Sequence, residues 1–127
     1  MRILVVDDKP NVISLLTQLL KNHDCRVESA SNGLDAFEKA QKIVFDLYVI
    51  DHLMPVMDGL SLVKNLKNKI STSSTPILFM TTQSLASVEQ LVEYPLFDGL
   101  LTKPVNPKSL LGAVNQLMVK NSLRYSL

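Results

Sequence analysis

Residues 46–59 read DLYVIDHLMPVMDG. The first six, Asp46 to Asp51, form an apolar, strand-like run that ends in a carboxylate. A short run of this kind fits a strand covered on both faces. Asp58-Gly59 closes the stretch and opens a helical pattern through Leu60, Val63, Leu66 and Ile70. The same alternation extends in both directions. Toward the N-terminus, Ile3 to Val6 ends in Asp7-Asp8, and Pro10 begins a helix with Val12, Leu15, Leu16, Leu19 and Leu20 on one face. Arg26 to Ala30 reads as a second strand. Ser31 or Asn32 caps the helix after it, whose buried face includes Leu34, Phe37 and Ala40. Toward the C-terminus, a polar loop from Ser71 to Thr75 leads through Pro76 into a fourth strand, Ile77 to Thr81. A shorter helix carrying Leu85, Val88, Leu91 and Val92 stops before Pro95, and Asp98 to Thr102 is the last strand. The final helix, from about Pro107, sets Leu110, Leu111, Val114, Leu117 and Met118 on one side.

Five strands alternating with five helices predict an α/β fold, a doubly wound parallel sheet with helices on both faces. Spacing does not reveal strand order, so the common flavodoxin-like order is the expectation. The site then belongs at the carboxyl ends of the strands.

Composition narrows the function. The 127 residues fit one domain, and 46% hydrophobic against 20% charged residues is enough to bury a core. Thirteen Lys and Arg against 12 Asp and Glu leave a net charge of +1, which gives no electrostatic reason for direct nucleic-acid or anionic-membrane binding. The single cysteine, Cys25, excludes an internal disulfide, and no Cys/His cluster has zinc spacing. No apolar run approaches the roughly 20 residues that span a bilayer, and no signal pattern opens the chain. A cytoplasmic location is expected.

The polar residues just after each strand carry the chemistry. Strand one supplies Asp7 and Asp8, strand three Asp51, strand four Thr81 and Thr82, and strand five Lys103. Two unit charges 4 Å apart at an effective dielectric of 20 cost roughly 4 kcal/mol, so three clustered carboxylates call for a cation, a raised pKa, or both. Oxygen-only ligands suit Mg²⁺, with Mn²⁺ as an alternative, better than zinc. Lys103 and the Thr81 hydroxyl add a point charge and a donor for an anion at the metal. Together these groups describe phosphoryl transfer with Asp51 as nucleophile.

From Arg2 to about Lys120 the chain resembles a response-regulator receiver domain of the CheY-like family. The residues that carry the likeness are Asp7-Asp8, Asp51 within DLYVIDHLMPVMDG, Thr81, and Lys103-Pro104. The 30 residues from Asp51 to Thr81 and the 22 from Thr81 to Lys103 also resemble the family. The resemblance implies that Asp51 accepts a phosphoryl group from a sensor histidine kinase or histidine phosphotransfer protein. It implies Mg²⁺ on Asp8, Asp51 and the Leu53 backbone carbonyl, with Asp7 acting through a metal-bound water. Thr81 and Lys103 would each hold a phosphoryl oxygen, and the Lys103-Pro104 bond would be cis. The output is a switched protein contact rather than turnover of an external substrate.

Other residues draw plainer readings. Asp58-Gly59 is turn and capping chemistry, and Met54-Pro55 shapes the loop. Met54, Met57 and Met80 are packing, as is Cys25. His23 follows the first helix and is solvated; His52 faces away from the metal, idle on the rim. Thr82 stands at the phosphate entrance. Leu53 and Gln83 border the path of an attacking water. Apolar Leu53 cannot orient one, whereas Gln83 could, so self-dephosphorylation is expected to be slow to intermediate.

The chain departs from the family at Leu100, where a Tyr or Phe usually stands three residues before the lysine. Leucine has neither the turning ring nor its polar tip, which keeps alive a receiver-like module that binds without phosphorylation. A flavin or nucleotide site is disfavoured because Asp7-Asp8-Lys9-Pro10 would repel phosphate, and an aspartate-nucleophile phosphatase would separate its two aspartates by one residue. The domain is read as residues 1–120 and residues 121–127 as a short tail, so the chain is either a stand-alone receiver or a piece of a larger regulator with an attached effector domain. Dimerisation on phosphorylation is left open.

Overall fold

A computed structural model describes residues 1–21 and 25–125, with side chains through Val119. Its strands are β1 (Arg2–Val6), β2 (Arg26–Ala30), β3 (Leu47–Asp51), β4 (Ile77–Thr81) and β5 (Gly99–Thr102). The helices between and after them are α1 (Pro10–Lys21), α2 (Gly33–Lys42), α3 (Gly59–Lys67), α4 (Leu85–Glu89) and α5 (Pro107–Tyr125). The strands form one parallel sheet in the order β2-β1-β3-β4-β5, the flavodoxin-like order expected.

The order follows from what each strand can bury. Every residue of β3 and β4 is buried, as are four of the five in β1, so these strands occupy the middle with helices on both faces. Polar Arg26, Glu28 and Ser29 leave β2 fit only for an edge, where it lies. Side-chain alternation divides the interior in two. Leu4, Val6, Tyr48, Ile50, Ile77 and Phe79 face one layer with α2 and α3 residues such as Ala36, Leu62 and Leu66. Ile3, Val5, Val49, Leu78 and Met80 face the other with Leu16, Leu20, Leu110 and Val114. Cys25 is buried in this second layer.

Caps fix where the helices begin. Of the two residues expected to cap α2, Asn32 is the one whose side chain accepts from the Asp35 N–H, at 2.8 Å. Asp58 does the same for α3 through the Ser61 N–H, at 2.9 Å, and Ser84 caps α4 through the Ser87 N–H.

Several apolar positions lie outside the expected core. Leu15 and Leu34 are each 43% exposed because α1 and α2 turn narrower stripes to the sheet, buried at Leu16 and Leu20 and at Ala36 and Ala40. Ile70 falls beyond α3 and is 96% exposed. The helix before Pro95 is also shorter than expected: α4 ends at Glu89, a 3-10 turn spans Tyr94–Leu96, and only Val88 of α4 is buried. Leu85 and Val92 are exposed in consequence. The last helix continues to Tyr125, so the segment expected as a tail is helical that far. His23 lies outside the described residues.

Candidate functional site at the carboxyl edge

Parallel pairing brings the ends of β1, β3, β4 and β5 to one edge. Carboxylate oxygens of Asp7, Asp8 and Asp51 lie within 4.8 Å of one another. Asp7 is fully buried and Asp51 nearly so, while the side chain of Asp8 is 32% exposed. Asp8 and Asp7 also border an open cleft of about 710 Å³ between α1 and the β2–α2 turn.

Lys103 answers the buried charges. Its ammonium donates to Asp7 Oδ2 at 2.9 Å and to Asp51 Oδ1 at 3.1 Å, bridging the two strands. Asp7 Oδ1 accepts the Lys9 N–H at 2.9 Å. The Lys103-Pro104 peptide is cis, and the Lys103 N–H donates to the Thr81 carbonyl at 2.8 Å. Two carboxylate oxygens are left over: Asp8 Oδ1 and Asp51 Oδ2 are buried with no hydrogen-bond donor among the described residues, and the Lys9 ammonium lies 3.7 Å from the former. Buried acceptors without donors are costly and therefore rare. Here two point into one acidic cluster, the donor set of a hard divalent cation.

The electrostatics agree. Burial, and next the charge of Asp7, push the Asp51 carboxyl above its ordinary range, against the hydrogen bond and charge of Lys103 and the charge of Lys9. Burial alone would lower the Lys103 ammonium. Its hydrogen bonds to Asp7 and Asp51, with their charges, outweigh that, and the balance is upward.

Of the other expected positions, Leu53 is 58% exposed, and Thr82, Gln83 and Pro104 lie on the exposed rim. Leu100 pairs with Phe79 in the β4–β5 register and is half-buried against the first core layer.

His52 corrects the sequence reading. It is 5% exposed rather than idle on the rim. Its Nδ1 lies 2.9 Å from Thr81 Oγ1, and its ring centre 5.2 Å from that of Phe79. The backbone explains the burial. The His52 N–H donates to the Met80 carbonyl, and the His52 carbonyl accepts the Gly59 N–H, so β3 geometry carries one residue past Asp51. Alternation then sets residue 52 on the face of Ile50, under α3. Counting that alternation one residue past Asp51 would have found it.

The comparisons with known proteins converge on one family. The model of the response regulator receiver domain matches residues 3–115. Protein PilH of Pseudomonas aeruginosa is 31% identical over 117 residues, covering 92% of this chain and 97% of its own. The transcriptional regulatory protein ZraR of Klebsiella oxytoca is 41% identical over 105 residues, 83% of this chain but only 23% of its own length. The chain likewise spans 58% of the probable transcriptional regulator ycf29 of Porphyra purpurea. Among solved structures, the chemotaxis response regulator CheY4 of Vibrio cholerae superposes with a TM-score of 0.85 at 32% identity, over 91% of this chain and 97% of its own. The response regulator TrrA of Thermotoga maritima, solved in complex with Mg²⁺–BeF, gives 0.82 at 30% identity over the same shares.

Proposed function

The chain belongs to the response regulator receiver domain family, and from that premise we propose that it is a phosphorylation switch acting through Asp51. The observation that carries this reading is the charge arrangement at the edge: Lys103 neutralises Asp7 and one oxygen of Asp51, while the second oxygen of Asp51 has no donor. The Asp51 carboxylate is the nucleophile. It attacks the phosphorus of a phosphohistidine on a sensor kinase or phosphotransfer protein; the P–N bond breaks, its electron pair returns to the imidazole, and an acyl phosphate forms on Asp51.

Asp7, Asp8, Asp51 and the Leu53 carbonyl would hold Mg²⁺, or Mn²⁺ in its place. When bound, the ion supplies positive charge against the phosphoryl oxygens during transfer. The chain's own residues do the rest. Lys103 holds a phosphoryl oxygen, the Thr81 hydroxyl donates to another, and Thr82 borders the entrance. Leu53 and Gln83 set how well water reaches the acyl phosphate, and Pro104 shapes the loop behind Lys103. The Mg²⁺–BeF complex of TrrA supports this assignment, because its chain folds as this one does.

The domain so read occupies residues 1–120, works in the cytoplasm, and hands its state to an output protein or attached effector domain; phosphorylation-dependent dimerisation is one form that output takes. A second reading, a module that binds without phosphorylation, draws on Leu100 at the position where the family's aromatic stands. Intact mass after incubation with Mg²⁺ and acetyl phosphate separates the two. The switch gives one phosphoryl adduct that requires Mg²⁺ and is absent from Asp51→Asn. No adduct, together with no binding of beryllofluoride in the presence of Mg²⁺, leaves the constitutive module.

A further inference from the structure

Thr81 has one proton to give, and the His52 ring nitrogen is placed to take it. Thr81 is fully buried. Its Oγ1 accepts the Gln83 N–H at 3.1 Å and lies 2.9 Å from His52 Nδ1. A threonine hydroxyl is a single donor with two acceptor positions. If Nδ1 carried a hydrogen and donated it, Oγ1 would accept twice, and its own proton would be buried without an acceptor among the described residues. Donation from Thr81 to Nδ1 gives that buried proton an acceptor and leaves Oγ1 to accept the Gln83 N–H, with the ring hydrogen then on Nε2. The hydroxyl therefore cannot serve a phosphoryl oxygen until it leaves His52.

The ring that would be left behind is packed against other rings. His52 lies 5.2 Å from Phe79. Phe79 stacks on Phe97 at 4.0 Å and 7°. Phe97 meets Tyr94 edge-on at 6.3 Å, and Tyr94 is 37% exposed. Leu100, which has no polar tip to follow the hydroxyl, packs beside this row as filler. A nitrogen stripped of its partner in a 5% exposed position is unfavourable, so release of Thr81 calls for an adjustment of the imidazole, which is in ring contact with Phe79.

We propose that His52 is a positioning residue that holds the Thr81 hydroxyl in the resting state, and that its release drives the row His52–Phe79–Phe97–Tyr94 toward the surface. The proposal rests on the switch reading above. It assigns to the residue after the phosphoacceptor the coupling that Leu100 cannot provide.

The test titrates the whole chain with beryllofluoride in the presence of Mg²⁺. His52→Phe keeps a ring against Phe79 but removes Nδ1, so Thr81 no longer has to be detached. We expect this variant to bind beryllofluoride about three- to tenfold more tightly, the range one buried neutral hydrogen bond supports. The gain should vanish when both the variant and its reference carry Thr81→Ala, which a merely structural effect of residue 52 would not do. Equal or weaker binding by His52→Phe, or a gain that survives Thr81→Ala, overturns the proposal. The unaltered protein gives a reading that does not depend on a variant folding. The ¹⁵N resonance of His52 Nδ1 should move on saturation with Mg²⁺ and beryllofluoride, and the ring resonances of Phe97 and Tyr94 should move with it. An unmoved Nδ1 overturns the holding role, and unmoved Phe97 and Tyr94 rings overturn the row. If the unaltered protein fails to bind beryllofluoride, the switch reading itself falls, and this inference falls with it.

Discussion

Val56 sits in the loop between Asp51 and α3 with φ of 69°, the left-handed region that branched side chains rarely enter. Its side chain is 79% exposed, so little packing repays the conformation. Val56→Gly should therefore raise unfolding stability by on the order of 1 kcal/mol, after the added freedom of the unfolded chain is counted. Urea unfolding measures this, and a loss of stability would contradict it. Lys103 gives a second residue-level expectation. Its folded pKa is raised above 10.5, so the stability it confers is fully present below that pH and is lost as pH climbs through the raised value. Buried Tyr48, also raised, loses stability in the same direction. Comparing parent with Lys103→Gln isolates the lysine on the alkaline side, where Asp7 and Asp51 stay charged: the gap between their unfolding free energies should stay level from neutral pH up to 10.5 and narrow above it. At this scale the sequence was most informative where residue type alone limits the chemistry. Asp7, Asp8, Asp51, Thr81 and Lys103 were all legible as strand-end residues, and the edge brings them together. His52 was missed because the strand alternation was not carried one residue past Asp51, which is what buries its ring.

At the scale of elements, the start of α3 is held against the end of β3, the strand that carries Asp51. The Gly59 N–H donates to the His52 carbonyl at 2.8 Å, and a Cβ at Gly59 would fall inside van der Waals contact with the Asp51 carbonyl oxygen. Glycine is required here for close approach, not for an unusual φ. Gly59→Ala should cost about 2–3 kcal/mol in unfolding free energy, a small-to-large change against backbone that cannot give way. It should also slow phosphorylation by acetyl phosphate, since the strand end carrying Asp51 must shift. Wild-type stability in that variant would show that the contact is easily relieved. The existence and order of elements were readable from periodicity, and the strand bounds agree to within one residue. The misread apolar residues share a cause. Leu34, Ile70, Leu85 and Val92 fit a helical spacing, but spacing does not say how wide a stripe the sheet can cover or where a short helix stops.

For the whole molecule, the three acids set a balance between stability and readiness. Among the described residues no donor reaches Asp8 Oδ1 or Asp51 Oδ2, and burial with the charge of Asp7 disfavours the charged form of Asp51, so positive charge is wanted at this site. A cation that binds only the folded chain should therefore stabilise it. At 100 times the dissociation constant the gain is about 2.7 kcal/mol. Thermal unfolding with Mg²⁺ and with a chelator should differ accordingly, and Asp8→Asn should shrink the difference. An equal response in that variant would place the ion elsewhere. Strand order, the one global feature spacing could not disclose, had to be assumed, because it is decided by which strands can bury both faces.

That order also bears on how the protein comes into being. β1 lies between β2 and β3, and the two outer positions belong to β2 and β5. During synthesis the ribosome thus delivers an interior strand first, and one of its flanks stays open until residue 51 has emerged. Deleting Arg2–Val6 would remove a strand from within the sheet and take its bonds to both neighbours with it. An equal loss beyond Val119 would leave every strand pair intact.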